Sequence, residues 1–126
     1  MNKLTILVLD DSEIVLNMIS LALMEAGFEV KAASSLVEFD RILSQIQPDI
    51  ILTDIKMPEI SGDNVCRVLK QKHHTKLIPI VLFSTLDEKE LAELAERAGA
   101  DGYVCKDAGI DEIVNRIQSL TGEILF

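Results

Sequence analysis

No apolar stretch in this 126-residue chain approaches the roughly 20 consecutive residues that cross a bilayer. There is no charged-then-apolar leader ending in small residues, so the sequence predicts neither a membrane span nor a secretion signal. Positive charge is scarce: 12 Lys and Arg stand against 21 Asp and Glu, for a net charge of −9. A domain this acidic repels phosphate backbones and anionic lipid, which argues against direct binding to nucleic acid or a membrane surface. The one basic run, Lys70-Gln71-Lys72-His73-His74-Thr75-Lys76, reads as a solvated helix end whose cations complement the helix dipole. Cysteine is sparse too. Cys66 and Cys105 lack C-x-x-C spacing and read as free, packing thiols, as expected in the cytoplasm. No repeat, linker or low-complexity stretch interrupts the chain, and 48% hydrophobic content suffices for one core. The length predicts a single domain over residues 1–126.

What is present is a set of short apolar runs that end in charge. Leu4 to Leu9 runs into Asp10-Asp11, and Asp49 to Thr53 into Asp54. Ile80-Val81-Leu82-Phe83 runs into Ser84, and Asp101 to Cys105 into Lys106. Between them lie helical patterns. The expected order is strand 4–10, helix 13–26 closed by Gly27, strand 28–33, and a helix to about 46 opened by the capping box Ser35-Leu36-Val37-Glu38. It continues with strand 49–54, a helix capped by Ser61 and running through His73, strand 78–84, helix 87–99, strand 101–105 and helix 111–120. The tail Thr121–Phe126 either packs back or leads into further chain. Regular β-α alternation predicts an α/β fold, a doubly wound parallel sheet with helices on both faces.

Ligands of such sheets gather at the carboxyl ends of the strands. If those strands are neighbours, three carboxylates and one ammonium converge there. Two unit charges about 4 Å apart interact by about 4 kcal/mol at an effective dielectric near 20. The cluster therefore strains the fold unless a cation relieves it, and Mg²⁺ suits one or two carboxylates with positions left for water and phosphate. One carboxylate flanked by a metal, Lys106 and the Ser84 hydroxyl is a plausible nucleophile toward phosphorus.

Asp10-Asp11, Asp54-Ile55-Lys56-Met57-Pro58 with Gly62, Ser84, and Gly102-Tyr103-Val104-Cys105-Lys106 occur in this order at strand ends. Over essentially the whole chain, the sequence resembles the receiver domain of two-component response regulators. The resemblance implies a flavodoxin-like (βα)5 sandwich with strand order 2-1-3-4-5. It implies Asp54 as phosphoacceptor from a phosphohistidine donor. Mg²⁺ would be held by Asp10, Asp11, Asp54 and the Lys56 carbonyl, while Lys106 and Ser84 would contact the phosphoryl group. Tyr103 would be the switch aromatic, read by an output partner or fused effector domain. The domain would be a signalling switch that assists its own phosphorylation and dephosphorylation rather than an enzyme, and a monomer or weak dimer.

Lys106 is followed by Asp107 where many receivers have proline, so a trans bond is expected there. Thr85 competes with Ser84 for the switch hydroxyl, but strand alternation lets only one face the site. On the first helix, Val15, Met18, Ile19, Ala22 and Ala26 fit the core, leaving Ile14, Leu16, Leu21 and Met24 on the flanks and far side. Scattered surface aliphatics are ordinary. The functional readings of Ile14, Leu16 and Leu21 are docking to a histidine kinase or histidine phosphotransfer domain, or dimerisation. A haloacid-dehalogenase phosphatase is disfavoured because Ser12 and Glu13 stand where it needs a second Asp. A flavodoxin is disfavoured because Asp10-Asp11-Ser12-Glu13 would repel its phosphate. A pseudo-receiver, binding partners without phosphorylation, is the remaining alternative.

Overall fold

A computed structural model describes residues 3–126. Five strands alternate with five helices: β1 Thr5–Leu9, α1 Glu13–Glu25, β2 Glu29–Ala33, α2 Leu36–Leu43, β3 Ile50–Asp54, α3 Gly62–Gln71, β4 Ile80–Ser84, α4 Glu88–Ala98, β5 Gly102–Cys105 and α5 Ile110–Leu125. The strands are parallel in the order β2-β1-β3-β4-β5. β3 and β4 are buried at every position, which is why they read as unbroken apolar runs rather than alternating ones.

The pleat divides the core in two. Leu7, Leu9, Ile51, Ile80 and Leu82 face α2, α3 and α4. Ile6, Val8, Leu52, Val81 and Phe83 face α1 and α5. Residues one apart on a strand serve opposite layers, so a register slip would exchange both cores at once.

Helix 1 corrects one expectation. Its buried residues are Leu16, Ile19 and Leu23, at i, i+3 and i+7. Leu16 lies in the core at 6% exposure and cannot belong to a docking face, whereas Met18 is 56% exposed. The apolar stripe is centred one position from the expected one, because this helix carries aliphatics nearly all round.

Helix 5 is longer than expected. It runs past Leu120, and Ile124 and Leu125 pack against the second core layer. Gly122 lies inside it, and packing of the flanking aliphatics outweighs the roughly 1 kcal/mol cost of a mid-helix glycine. The capping box is also shifted. Ser35 Oγ accepts from Glu38 N–H at 3.2 Å, but the Glu38 carboxylate is met by Ser34 N–H and Ser34 Oγ. Ser61 sits at the N-cap of α3 without a side-chain capping bond.

At the amino edge of the sheet, Lys70 is more than a solvated helix-end cation. Its Nζ donates to Ile78 O at 3.1 Å and to Asp101 Oδ2 at 2.7 Å. The same Asp101 oxygen accepts from Ile80 N–H at 2.8 Å, so one carboxylate ties α3 to the entry of β4.

Candidate functional site

Strand register brings the acidic residues together. Leu9 pairs with Thr53 and Asp54 with Phe83, so Asp10, one residue past Leu9, comes level with Asp54 on the adjacent strand. Ser84 pairs with Cys105, which puts Lys106 one residue beyond the same edge. Asp10, Asp11 and Asp54 each offer one oxygen within 4.8 Å of the others, a group that could hold a metal ion. Asp10 and Asp54 are buried and Asp11 is exposed, so the cluster opens to water on one side.

Lys106 Nζ sits between two of these carboxylates, 2.8 Å from Asp10 Oδ2 and 2.9 Å from Asp54 Oδ1. It also lies 5.0 Å from the centroid of the Phe83 ring. The Asp10 contact is an ion pair without good hydrogen-bond alignment, and Asp10 Oδ2 otherwise lacks a partner among the described residues. Asp10 Oδ1 accepts from Ser12 N–H at 2.9 Å. Asp10 is fully buried, so it helps fix Lys106 as well as the acidic cluster.

Asp54 is held asymmetrically. Its Oδ1 accepts from Ile55 N–H at 2.9 Å and from Lys106 Nζ at 2.9 Å. Among the described residues, Oδ2 receives no hydrogen bond. Burial and, further down, the charge of Asp10 raise the Asp54 carboxyl above its ordinary value, against the opposing pull of Lys106. Burial works against the Lys106 ammonium, but its close contacts with the Asp10 and Asp54 carboxylates outweigh this and raise it.

The sign of the resulting pH dependence follows. Asp54 loses its proton more readily in the unfolded chain than in the folded one. The contribution of Asp54 to stability is therefore greatest below the ordinary value of 3.8 and falls as pH rises from there through the raised folded value. At neutral pH, Asp54→Asn is expected to raise the Tm of the metal-free protein, and the gain is expected to disappear in acid. A calorimetric pH series in chelator checks this; a D54N protein less stable than wild type at pH 7 contradicts it.

The remaining site residues lie as follows. Ser84 is buried at the end of β4, and its Oγ accepts from Leu86 N–H at 3.2 Å. Thr85 is exposed beside Lys106. Lys56 is exposed in the loop after β3. Tyr103 is half-buried on β5, packed against the layer that holds α4. The Lys106–Asp107 bond is trans, and the chain reaches α5 through a 3-10 turn over Lys106–Ala108 and Gly109 at φ 90°. Ile14 and Leu21 are 75% and 60% exposed.

Two further residues hold the loop after β3: Gly62, which belonged to the sequence motif, and Glu59, which carried no sequence signal. Glu59 Oε1 accepts from Leu36 N–H at 3.3 Å, tying the loop after Asp54 to the start of α2. Gly62 donates its N–H to Ile55 O at 2.9 Å and lies so close to Asp54 that a Cβ would overlap the Asp54 carbonyl.

A five-stranded doubly wound sheet with an acidic, lysine-clamped carboxyl edge defines a flavodoxin-like α/β domain built around a charged site. The model of the response regulator receiver domain matches residues 6–118, and the chain belongs to that family, the signalling switches of two-component systems. It is 36% identical over 125 residues to the regulatory protein AtoC of Escherichia coli, covering 94% of this chain and 27% of that protein. It is 32% identical over 116 residues to the phosphate regulon transcriptional regulatory protein PhoB of Pseudomonas aeruginosa, covering 92% of this chain and 51% of that one. The chain thus spans about half or less of these curated relatives. A receiver domain protein from Clostridium thermocellum superposes with a TM-score of 0.80 at 30% identity, covering 95% of each chain. The chemotaxis response regulator CheY4 of Vibrio cholerae shares the fold with a TM-score of 0.85 at 24% identity, covering 94% of this chain and 99% of that one.

Proposed function

We propose that Asp54 accepts a phosphoryl group from a phosphohistidine donor and that the product is a switch read by a partner. The observation that carries this reading is the asymmetry at Asp54: Oδ1 is pinned by two donors while Oδ2 is free of them. A pinned carboxylate with one free oxygen is oriented for in-line attack. A lone pair of Oδ2 forms the new O–P bond as the donor's N–P bond breaks, and that bonding pair returns to the imidazole. Phosphoryl transfer asks mainly for positioning and charge neutralisation. Lys106 supplies one positive charge, already desolvated and aimed at Asp54.

Asp10, Asp11, Asp54 and the Lys56 carbonyl would hold Mg²⁺, which when bound supplies the charge that stabilises the phosphoryl oxygens. The donor set fits: all oxygen, largely carboxylate, open to water at Asp11. Mg²⁺ is expected to raise the Tm of the unphosphorylated protein, by about 2.7 kcal/mol of stability at 100 times its Kd. Asp11→Asn should remove most of that shift, because Asp11 is the accessible member of the cluster. A melting series in Mg²⁺ checks both, and an unchanged Tm at millimolar Mg²⁺ counts against the site.

Phosphorylation adds roughly −1.5 to −2 charge and three acceptor oxygens. Ser84 can turn its hydroxyl hydrogen toward them, since its Oγ only accepts in this state. Movement of the β4–α4 loop with Ser84 would leave room for Tyr103 to turn inward, changing the face of α4, β5 and α5 that an output partner or fused effector reads. The donor, a histidine kinase or phosphotransfer domain, would dock on α1 through Ile14 and Leu21, both exposed. The pseudo-receiver alternative is tested by incubating the protein with a small acyl phosphate and Mg²⁺ and measuring intact mass. Gain of one phosphoryl group supports the reading; no gain overturns it.

A further inference from the structure

The connection between β2 and α2 touches both halves of the acidic site. On one side, Asp10 N–H donates to Ala33 O at 3.1 Å, so the last residue of β2 holds the backbone of a cluster carboxylate. On the other, Leu36 N–H donates to Glu59 Oε1 at 3.3 Å. Ser34 and Leu36 share one crevice with Asp11, Met57 and Glu59. The loop from β3 to α3, which carries the Lys56 carbonyl, has few ties of its own. Its two ends meet through Gly62 N–H and Ile55 O. Between them, Met57 and Ile60 are half-buried, while Lys56, Pro58 and Glu59 are exposed. Among the described residues, the Glu59–Leu36 bond is the only hydrogen bond that joins residues 56–60 to another element.

We propose that Glu59 is a positioning residue for the metal site. Docked on Leu36 N–H, it holds the β3–α3 loop against the β2–α2 connection, so that the Lys56 carbonyl and the carboxylates stand as one ligand set before the cation arrives. Its role rests on the Mg²⁺ reading above. Leu36 is the first residue of α2, where the leading N–H groups have no partner inside the helix. The N-cap Ser35 spends its hydroxyl on Glu38 N–H and leaves Leu36 N–H open. The Glu59 carboxylate fills that place, at the positive end of the helix dipole. Glu59 acts through the loop and not as a ligand: it spares the loop the freedom it would otherwise lose on binding. What matters is its acceptor oxygen, not its charge.

Calorimetric Mg²⁺ titration without phosphodonor, in about 150 mM salt to screen surface charge, reads the effect directly. Glu59→Ala is expected to weaken Mg²⁺ binding about fivefold, the scale of one hydrogen bond. Glu59→Gln keeps an acceptor oxygen without the charge and is expected to stay within about twofold of wild type. Leu36→Pro removes the N–H and keeps Glu59. Proline suits the first helical position, and Ser35, at φ −146° and ψ 162°, has the extended backbone that a following proline requires. Leu36→Ala, which keeps the N–H, accounts for the lost side chain. Relative to L36A, L36P is expected to lose the same roughly fivefold, and adding E59A to L36P is expected to cost nothing further. In the metal-free protein, the Leu36 amide proton resonance should shift in E59A and stay near its wild-type position in E59Q. E59Q as weak as E59A would reduce Glu59 to a surface charge that attracts cations and would overturn the proposal. So would a folded E59A protein with wild-type Mg²⁺ affinity, or losses in E59A and L36P that multiply in the double variant. Wild-type protein that takes up no Mg²⁺ at millimolar concentration would remove the metal reading, and the role of Glu59 with it.

Discussion

Asp54→Asn is expected to lower the rate of phosphoryl uptake from a small acyl phosphate by at least roughly 10³-fold, a loss typical of removing a nucleophile. An amide oxygen is a far weaker nucleophile than a carboxylate, and no neighbour can substitute. Asp10 has one oxygen on Ser12 N–H and the other against Lys106 in a fully buried setting, so its charge is committed. Asp11 is exposed and lacks the two donors that orient Asp54. Intact-mass kinetics in Mg²⁺ measure the effect. D54N modified at the wild-type rate would move the acceptor elsewhere. The variant should also be at least as stable as wild type in chelator, so lost uptake cannot be assigned to unfolding.

The site was legible in sequence because each of its charged members ends an apolar run, and parallel strands place their carboxyl ends together. Asp10, Asp11, Asp54 and Lys106 follow from that rule alone, with the register of β1 on β3 setting Asp10 level with Asp54. What was not legible is how two carboxylates share one ammonium. No local pattern says that Asp10 takes Lys106 and Ser12 N–H while Asp54 keeps one oxygen free. That division depends on side-chain directions fixed by packing across three strands.

The errors on α1 and α5 have different causes. Periodicity locates a buried stripe only when polar residues mark the opposite face. α1 carries Ile14, Met18, Leu21 and Met24 where polar residues would stand, so its phase was ambiguous and Leu16 was misplaced. The same excess of surface aliphatics suggests an unpartnered face. On α5, the expected end at Leu120 fell short because Ile124 and Leu125 pack against the core and carry the helix across Gly122. Thr121, buried within that helix, satisfies its hydroxyl by donating to Ile117 O at 2.7 Å.

Gly62→Ala is expected to be the most damaging single methyl in the protein. Gly62 does not occupy the left-handed region, so its requirement is close approach and not backbone freedom. A Cβ there would press into the Asp54 carbonyl group and Ile55 Cα, which are backbone atoms that cannot rotate away. Relief requires the start of α3 to retreat from β3, and the bond from Gly62 N–H to Ile55 O at 2.9 Å opposes that movement. Forcing volume into a packed contact costs about 1–3 kcal/mol and more where backbone must shift. A loss of about 3 kcal/mol, or roughly 10 °C in Tm for a domain of this size, is the expectation. The displacement also lands on the residues that orient the proposed nucleophile, since Asp54 Oδ1 is pinned by Ile55 N–H. Phosphoryl uptake by G62A should therefore fall even well below its Tm, where the chain is folded. Melting curves and mass kinetics at low temperature distinguish the two effects. A folded G62A protein with wild-type uptake would show that α3 can move without disturbing Asp54, and would remove Gly62 from any role in holding the site.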